Sequence, residues 1–339
     1  MVVGIDSHKE TVAACAVDEL GAELATAIFP NTNAGHHALL GWAHRRGKVS
    51  LFGIEGSGGL GYALARLLAT AGEGVVEVPP FLTVRERKHL RRRGKSDPAD
   101  ALAIARVVAR EVDLPRFLLY DGARQLGQVL NYRDQLVEQR TREANRFHSE
   151  LTRRHPGYQE KIRNLVSKRS LRRAQELLEA ETSIETALLL RRLASLGRLS
   201  SEIVDLNASI RSLVEQNGTG LTAMPGIGPL VAARILAEVG DVRRIASESH
   251  FAALNGTAPV PASSGAIQRH RLNRGGNRKL NRALHTIAVI QAHLEPRART
   301  YLQRRRAEGK THREAIRCLK RQLSNVVYRQ LVADRDRIR

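Results

Sequence analysis

The sequence predicts an α/β domain followed by an all-α remainder. Short apolar runs separated by turn residues fill the first 115 positions. Residues 122–217 hold one proline, Pro156, and repeat leucines at helical spacing. After Leu221 the chain breaks again into shorter helical stretches around glycine- and proline-rich turns.

Each element follows from local chemistry. Val2 to Asp6, Thr11 to Val17 and Ala22 to Phe29 read as three strands, parted by Asp6-Ser7-His8-Lys9 and Glu19-Leu20-Gly21. A helix follows at Ala34 to Arg46, then a strand from Val49 to Glu55 that ends in Gly56-Ser57-Gly58-Gly59. A helix from Leu60 to Ala71 and a strand from Gly74 to Val78 come next. Three consecutive strands before the alternation predict a mixed sheet. Pro79-Pro80 interrupts it, and 85–95 reads as a basic loop with seven Lys or Arg in eleven residues. Ala101, Ile104, Ala105 and Val108 then mark a helix that starts near Asp97-Pro98 and runs to about Val112.

In 122–217 the stripe Leu126, Val129, Leu130, Leu136, Val137 and the stripe from Leu171 to Leu196 predict long antiparallel helices. They fit an oligomerising coiled coil and a plain helical spacer equally. Met224-Pro225-Gly226-Ile227-Gly228-Pro229 predicts a turn into a helix ending at Val239. A second helix is expected near Ser247 to Leu254, a loop at 255–265, and a final helix from Lys279 to His293. Residues 297–339 read as a basic tail with 14 Lys or Arg against 4 acids.

The chain has 339 residues and a formal charge of +21. Such a field suits a polyanionic partner and argues against an ordinary metabolic enzyme. Two cysteines, Cys15 and Cys318, exclude a disulfide framework or a cysteine-based zinc site and point to a reducing, cytoplasmic setting. The chain opens on Val2-Val3-Gly4-Ile5 with no basic leader, so no signal peptide is expected. No apolar run reaches the roughly 20 residues of a membrane span. Aromatics are 4% of residues, too few for single-strand stacking platforms, so nucleic acid is expected to be held by salt-sensitive phosphate contacts.

Four carboxylates are candidates for chemistry. Asp6 and Glu55 close two strands that, as neighbours, share one sheet edge. Asp97 and Asp100 stand at i and i+3 in one helical turn. Such a hard-oxygen cluster suits two divalent cations acting on a phosphodiester. Pro98 at the first helical position also makes Asp97 an N-cap and Asp100 a dipole-facing acid, which accounts for that pair without a metal. Gly226 and Gly228 resemble a helix-hairpin-helix turn whose amides meet a phosphate; an ordinary helix–helix turn reads the same way. Ser263-Ser264-Gly265 after Pro259 and Pro261 is turn chemistry on its own. Arg269, His270, Arg271, Arg274, Arg278 and Lys279 follow it without an acid and form a candidate phosphate-facing patch. In 85–95 the candidates are Arg85, Arg87, Lys88, Arg91, Arg92, Arg93 and Lys95. His8, His36, His37, His44 and His89 form no metal-ligand spacing with the cysteines.

Gly4-Ile5-Asp6, Gly53-Ile54-Glu55-Gly56-Ser57-Gly58 and Lys95-Ser96-Asp97-Pro98-Ala99-Asp100-Ala101 resemble the DEDD motifs of a bacterial transposase family. It is the insertion-sequence family numbered one hundred and ten, the bridge-RNA-guided recombinases. Met224 to Gly228, Ala258 to Gly265 and Gly275-Gly276-Asn277-Arg278-Lys279-Leu280 resemble that family's C-terminal domain. The resemblance implies a RuvC-like (RNase H-type) catalytic domain over 1–118, a helical coiled-coil region over 119–217, and a mostly helical transposase domain with a basic tail over 218–339. It implies Mg²⁺ on Asp6, Glu55, Asp97 and Asp100, and Ser264 as nucleophile. It implies a structured noncoding guide RNA, target and donor DNA duplexes, and dimers that pair into tetramers. It places the chain in the cytoplasm, at the nucleoid when active. The alternative is a RuvC-like metal-dependent endonuclease or Holliday-junction resolvase that uses water. A proofreading-type exonuclease fits less well, because the first motif is Asp6-Ser7-His8. A non-catalytic packing protein accounts for the charge alone.

Overall fold

The computed structural model describes residues 1–89, 97–119, 121–162, 164–179, 182–261, 270–271, 273 and 275–337. They divide into two compact units, Met1–Leu119 and Tyr120–Arg339.

The first unit is α/β. Its elements are β1 (Val2–Ser7), β2 (Thr11–Val17), β3 (Glu23–Pro30), α1 (Asn33–His44), β4 (Leu51–Glu55), α2 (Tyr62–Thr70), β5 (Val75–Glu77), α3 (Pro80–His89) and α4 (Asp97–Arg110). The sheet order is β3-β2-β1-β4-β5. β1 is antiparallel to β2 and parallel to β4, the mixed sheet that the sequence predicts. Residues 85–89, expected in a loop, belong to α3; positions 90–96 of that segment lie outside the described residues.

Alternation along the strands builds two cores. Val3, Ile5, Val12, Phe52 and Ile54 face α1 and α2, where Leu39, Trp42, Leu64 and Leu68 close over them. Ala13, Cys15 and Val17 face the opposite way, toward Ala101, Ile104, Ala105 and Val108 of α4. Gly4 and Gly53 pair across β1 and β4 on that second face. A Cβ on Gly4 would lie 2.1 Å from the Ala105 amide nitrogen and 2.4 Å from the Ala101 carbonyl oxygen. A Cβ on Gly53 would lie 2.1 Å from Val108 Cγ2. The two glycines therefore form a flat seat in which α4 rests directly on the sheet. Gly4→Ala is expected to destabilise the first unit by about 1–3 kcal/mol or more, because the clash is with backbone and cannot be relieved by a rotamer change. Denaturant unfolding of the variant checks this; an unchanged midpoint refutes the seat.

The second unit is helical apart from one hairpin. It contains α5 (Asp121–Arg154), α6 (Lys168–Glu179), α7 (Ile184–Asn217), α8 (Pro229–Val239), α9 (Glu248–Leu254), β6 (Val260–Pro261), β7 (His270–Arg271), α10 (Arg278–Leu294), α11 (Pro296–Ala307) and α12 (His312–Arg337). α5 and α7 run antiparallel against each other. Leu126 and Leu130 share a core with Ile210 and Val214, Leu136 packs with Leu199 and Ile203, and Phe147 and Leu151 pack with Leu189 and Leu193. Within the chain, the leucine stripes thus serve each other.

The expected basic tail is instead two helices that complete the core. Leu302 of α11 and Ile316, Leu319, Leu323, Val327 and Leu331 of α12 are buried beside Phe251 and Leu284. The apolar i, i+3, i+4 period is present there, but the fourteen basic residues interspersed through 297–339 obscure it. α10 is accordingly not the last helix.

Candidate functional site

The acids converge because of the glycine seat. Asp6 lies two residues beyond Gly4, and Glu55 two beyond Gly53, so both acids share the face that α4 covers. They are also direct register partners on the parallel strands β1 and β4. Ile5 and Ile54, between glycine and acid, are fully buried on the other face. The seat fixes α4 over this corner, and the helix begins at Asp97, so Asp97 and Asp100 arrive in its first turn.

A histidine and an arginine stand against the acids. His8 Nε2 lies 3.1 Å from Asp6 Oδ2 and 3.1 Å from Asp97 Oδ1. Donor atoms of Asp6, His8 and Asp97 all fall within 4.8 Å of one another. Asp100 is nearly buried and accepts from Arg87 Nη1 at 2.9 Å. Burial pushes the Asp6 carboxyl above its ordinary range; His8 opposes this, and Asp100, Glu55 and Asp97 add to it. A crowded, half-desolvated set of carboxylate oxygens fits a hard divalent cation, which would offset the burial and, after it, the repulsion that raise Asp6.

His8 is a site residue that the sequence reading passed over. The signal was its place two residues after Asp6, on the strand period, and not any spacing to cysteine. Arg87 is more than one more cation of the 85–95 segment: it neutralises Asp100. Arg87→Met is expected to lower metal-free stability by about 1–3 kcal/mol, between the values for an exposed and a fully buried pair, since Arg87 is partly exposed. Calorimetry in a chelator and in millimolar Mg²⁺ checks it. Mg²⁺ recovers the loss if the cation takes the place of the guanidinium.

In the second unit, β6 and β7 pair Val260 with Arg271 and Pro261 with His270. The linking residues 262–269, including Ser263, Ser264 and Arg269, lie outside the described residues, as do Arg274, Arg91, Arg92, Arg93 and Lys95. The side chains of Lys88 and Arg271 lie outside the described part as well. The stem of this hairpin is firmly held. A Cβ on Gly276 would lie 2.3 Å from the Gly256 nitrogen, so only glycine permits the two segments to touch. The Asn277 amide donates to Leu254 O, and Asn281 Nδ2 donates to Asn255 O at 2.7 Å. The fully buried Asn255 donates through Nδ2 to Ser324 Oγ at 2.8 Å. Gly275-Gly276-Asn277 is thus a helix start: Asn277 Oδ1 caps α10 by accepting from the Leu280 amide.

The other expected contacts are distributed. Arg85 and Arg278 are exposed. Lys279 Nζ donates to Asn131 Oδ1 at 2.9 Å and lies 3.6 Å from Glu238. Gly226 has φ of +81° and sits against α10, where Gln291 Nε2 donates to Pro225 O at 2.7 Å. Gly228 opens the N-terminus of α8, with open space beside its Cα.

Comparison with known proteins matches both units to one class. A DEDD transposase family of the IS110 type matches residues 3–156. The transposase IS116/IS110/IS902 family matches residues 219–303. The chain is 40% identical over 129 residues to the "Insertion element IS110 uncharacterized 43.6 kDa protein" of Streptomyces coelicolor, covering 37% of this chain and 32% of that one. This alignment spans about a third of the relative's length. Over 93% of this chain and 90% of the relative it is 27% identical to the "Mini-circle putative transposase for IS117" of the same organism. Over 96% of this chain and 94% of the relative it is 25% identical to the "Pilin gene-inverting protein" of Moraxella lacunata. Both matched families are transposases of the IS110 type, and their matches fall on separate stretches of this chain.

No helix among the described residues is long and apolar enough to cross a membrane.

Proposed function

We propose that the chain is an RNA-guided DNA recombinase that exchanges strands between a target and a donor duplex through a covalent serine–phosphate link. The observation that carries the reading is the delivery of four acids to one sheet corner by the paired glycines, in a chain matched to a DEDD transposase family over residues 3–156 and to a second transposase family over 219–303.

Asp6, Glu55, Asp97 and Asp100 are the residues that would hold Mg²⁺. A cation bound there supplies Lewis-acid polarisation of the scissile phosphate and stabilises charge on the attacking and leaving oxygens. Ser264 acts from the segment that links β6 to β7, and the residues flanking those strands are fixed in the helical core. Its Oγ forms a bond to phosphorus, one phosphate ester bond breaks, and the freed deoxyribose oxygen takes up the proton that the serine hydroxyl gives up. A hydroxyl of the exchanging strand then attacks the phosphoserine, restores the serine and closes a new phosphodiester. One ester replaces another throughout, so no external energy source is needed.

The charge of +21 suits two duplexes and a structured noncoding RNA. Scarcity of aromatics suits recognition through phosphates, with guide base pairing carrying sequence. Two or four copies would assemble so that the acids of one meet the serine of another. Trapping a protein–DNA adduct on a nicked duplex tests the serine step. Sequencing RNA that co-purifies with the chain tests guidance, and efficient exchange by RNA-free protein overturns it.

A further inference from the structure

The second unit contains a cavity of about 390 Å³ that the proposed chemistry leaves unused. Its wall runs from Gly256 to Pro259, at the stem of the β6–β7 hairpin, across Asn281 to the first half of α12. Five cations line it: Arg305, which is paired with Glu308 at 2.8 Å, and Lys310, Arg317, Lys320 and Arg321. Glu314 is the acid among the described lining residues; it accepts from the Thr311 amide at 2.9 Å and its Oγ1 at 2.7 Å, and the charges of Arg317 and Lys310 also act on it. Among the described residues, no carboxylate lies within ion-pair distance of Lys310, Arg317 or Lys320.

Lys320 is partly buried. Its Nζ donates to the neutral Asn281 Oδ1 at 2.7 Å. Burial pushes its ammonium down to about 8, with Arg278 and Arg317 adding to the effect. The neighbouring His285 is lowered by burial and by Lys320 itself. Thr257 Oγ1, in the same wall, is buried without a hydrogen-bond partner among the described residues. A desolvated cation amid cations and an unsatisfied hydroxyl are both costly unless an acceptor-rich anion completes them.

The geometry points to a seat for a backbone phosphate of duplex DNA, held at the stem of the serine hairpin and distinct from the phosphate that reacts. Non-bridging oxygens supply the several acceptors that guanidinium and ammonium groups require. The choice of DNA rests on the function proposed above. Free phosphate and RNA share the chemistry, and the test separates them.

Cys318 lies in the same wall and is half-buried, whereas Cys15 is fully buried in the first unit. Thiol alkylation of the intact chain therefore reports on this cavity. Anionic iodoacetate should react at Cys318 faster than neutral iodoacetamide, relative to their ratio on a free thiol. A duplex of mixed sequence at low salt should slow alkylation by at least about fivefold, and lose that effect as salt displaces phosphate contacts. Arg317→Gln, an exposed substitution, should weaken the protection and reduce the slope of log affinity against log salt by about one. Protection by inorganic phosphate alone, by RNA alone, or by no added polyanion overturns the assignment. So does duplex protection that Arg317→Gln leaves unchanged. The footprint reads occupancy and not strand exchange, so an inactive Ser264→Ala protein that still shields Cys318 separates failure of the serine mechanism from failure of the phosphate seat.

Discussion

Ser264→Ala protein is expected to bind duplex DNA as the wild type does, form no covalent adduct, and lose strand exchange by at least about 10⁴-fold, the scale on which removal of a covalent nucleophile acts. Binding should survive because the basic surface is spread over both units and the hairpin stem is held by Asn255, Gly256, Gly276 and Asn281. Ser263→Ala is the matched control and should retain the adduct. Denaturing gels of a nicked, end-labelled duplex give the readout. Metal-dependent nicking that persists undiminished in Ser264→Ala would replace the serine step by attack of water, which is the endonuclease reading of the same acids.

Asp6→Asn should separate stability from activity. The folded state raises the Asp6 carboxyl above its ordinary value of 3.8, chiefly by burial. Between the unfolded and the folded value the native protein therefore binds more protons than the unfolded chain, so its stability falls as pH rises through that window. Above the folded value the full cost of ionised Asp6 is present. The amide removes that cost. In a chelator at neutral pH, the melting temperature of the first unit should rise, with about 2–4 °C corresponding to about 1 kcal/mol. The gain in melting temperature that Mg²⁺ gives the wild type should vanish, and exchange should fall at least about 100-fold. A lower melting temperature in chelator would show that Asp6 is a structural partner of His8 and not a crowded acid awaiting a cation.

Much of this was legible because local chemistry and tertiary role agree. Pro229 opens α8 and Val239 ends it where the glycines predict, and Ser247 caps α9 by accepting from His250 N. Three strands before a βα alternation predict a mixed sheet, and the order β3-β2-β1-β4-β5 comes from the structure. The four acids were visible as strand and helix ends. What set them in one corner was visible too, in the repeated Gly-Ile-acid triplet, yet its meaning needs α4 above the sheet. Other features depend on partners that no local pattern names. Arg87 reads as one of many cations until Asp100 is seen beside it, and the leucines of α5 and α7 do not say whether their partner lies in the same chain. In α11 and α12 the apolar period was present, and density of charge hid it.

The seat made by Gly4 and Gly53 has a bearing on how loss-of-function data will read. Neither glycine carries a group that can touch nucleic acid or a cation, yet filling either position displaces the helix that delivers two of the four acids. A screen scoring exchange alone would place these glycines beside Asp6 and Glu55 as indistinguishable null alleles. A paired measurement of thermal stability sorts them, since the acids should be neutral or stabilising when removed and the glycines should be costly. The same logic defines second-site suppressors: trimming Val108 opposite Gly53 could restore a blocked allele, whereas no trimming relieves the backbone of Ala101 and Ala105 above Gly4.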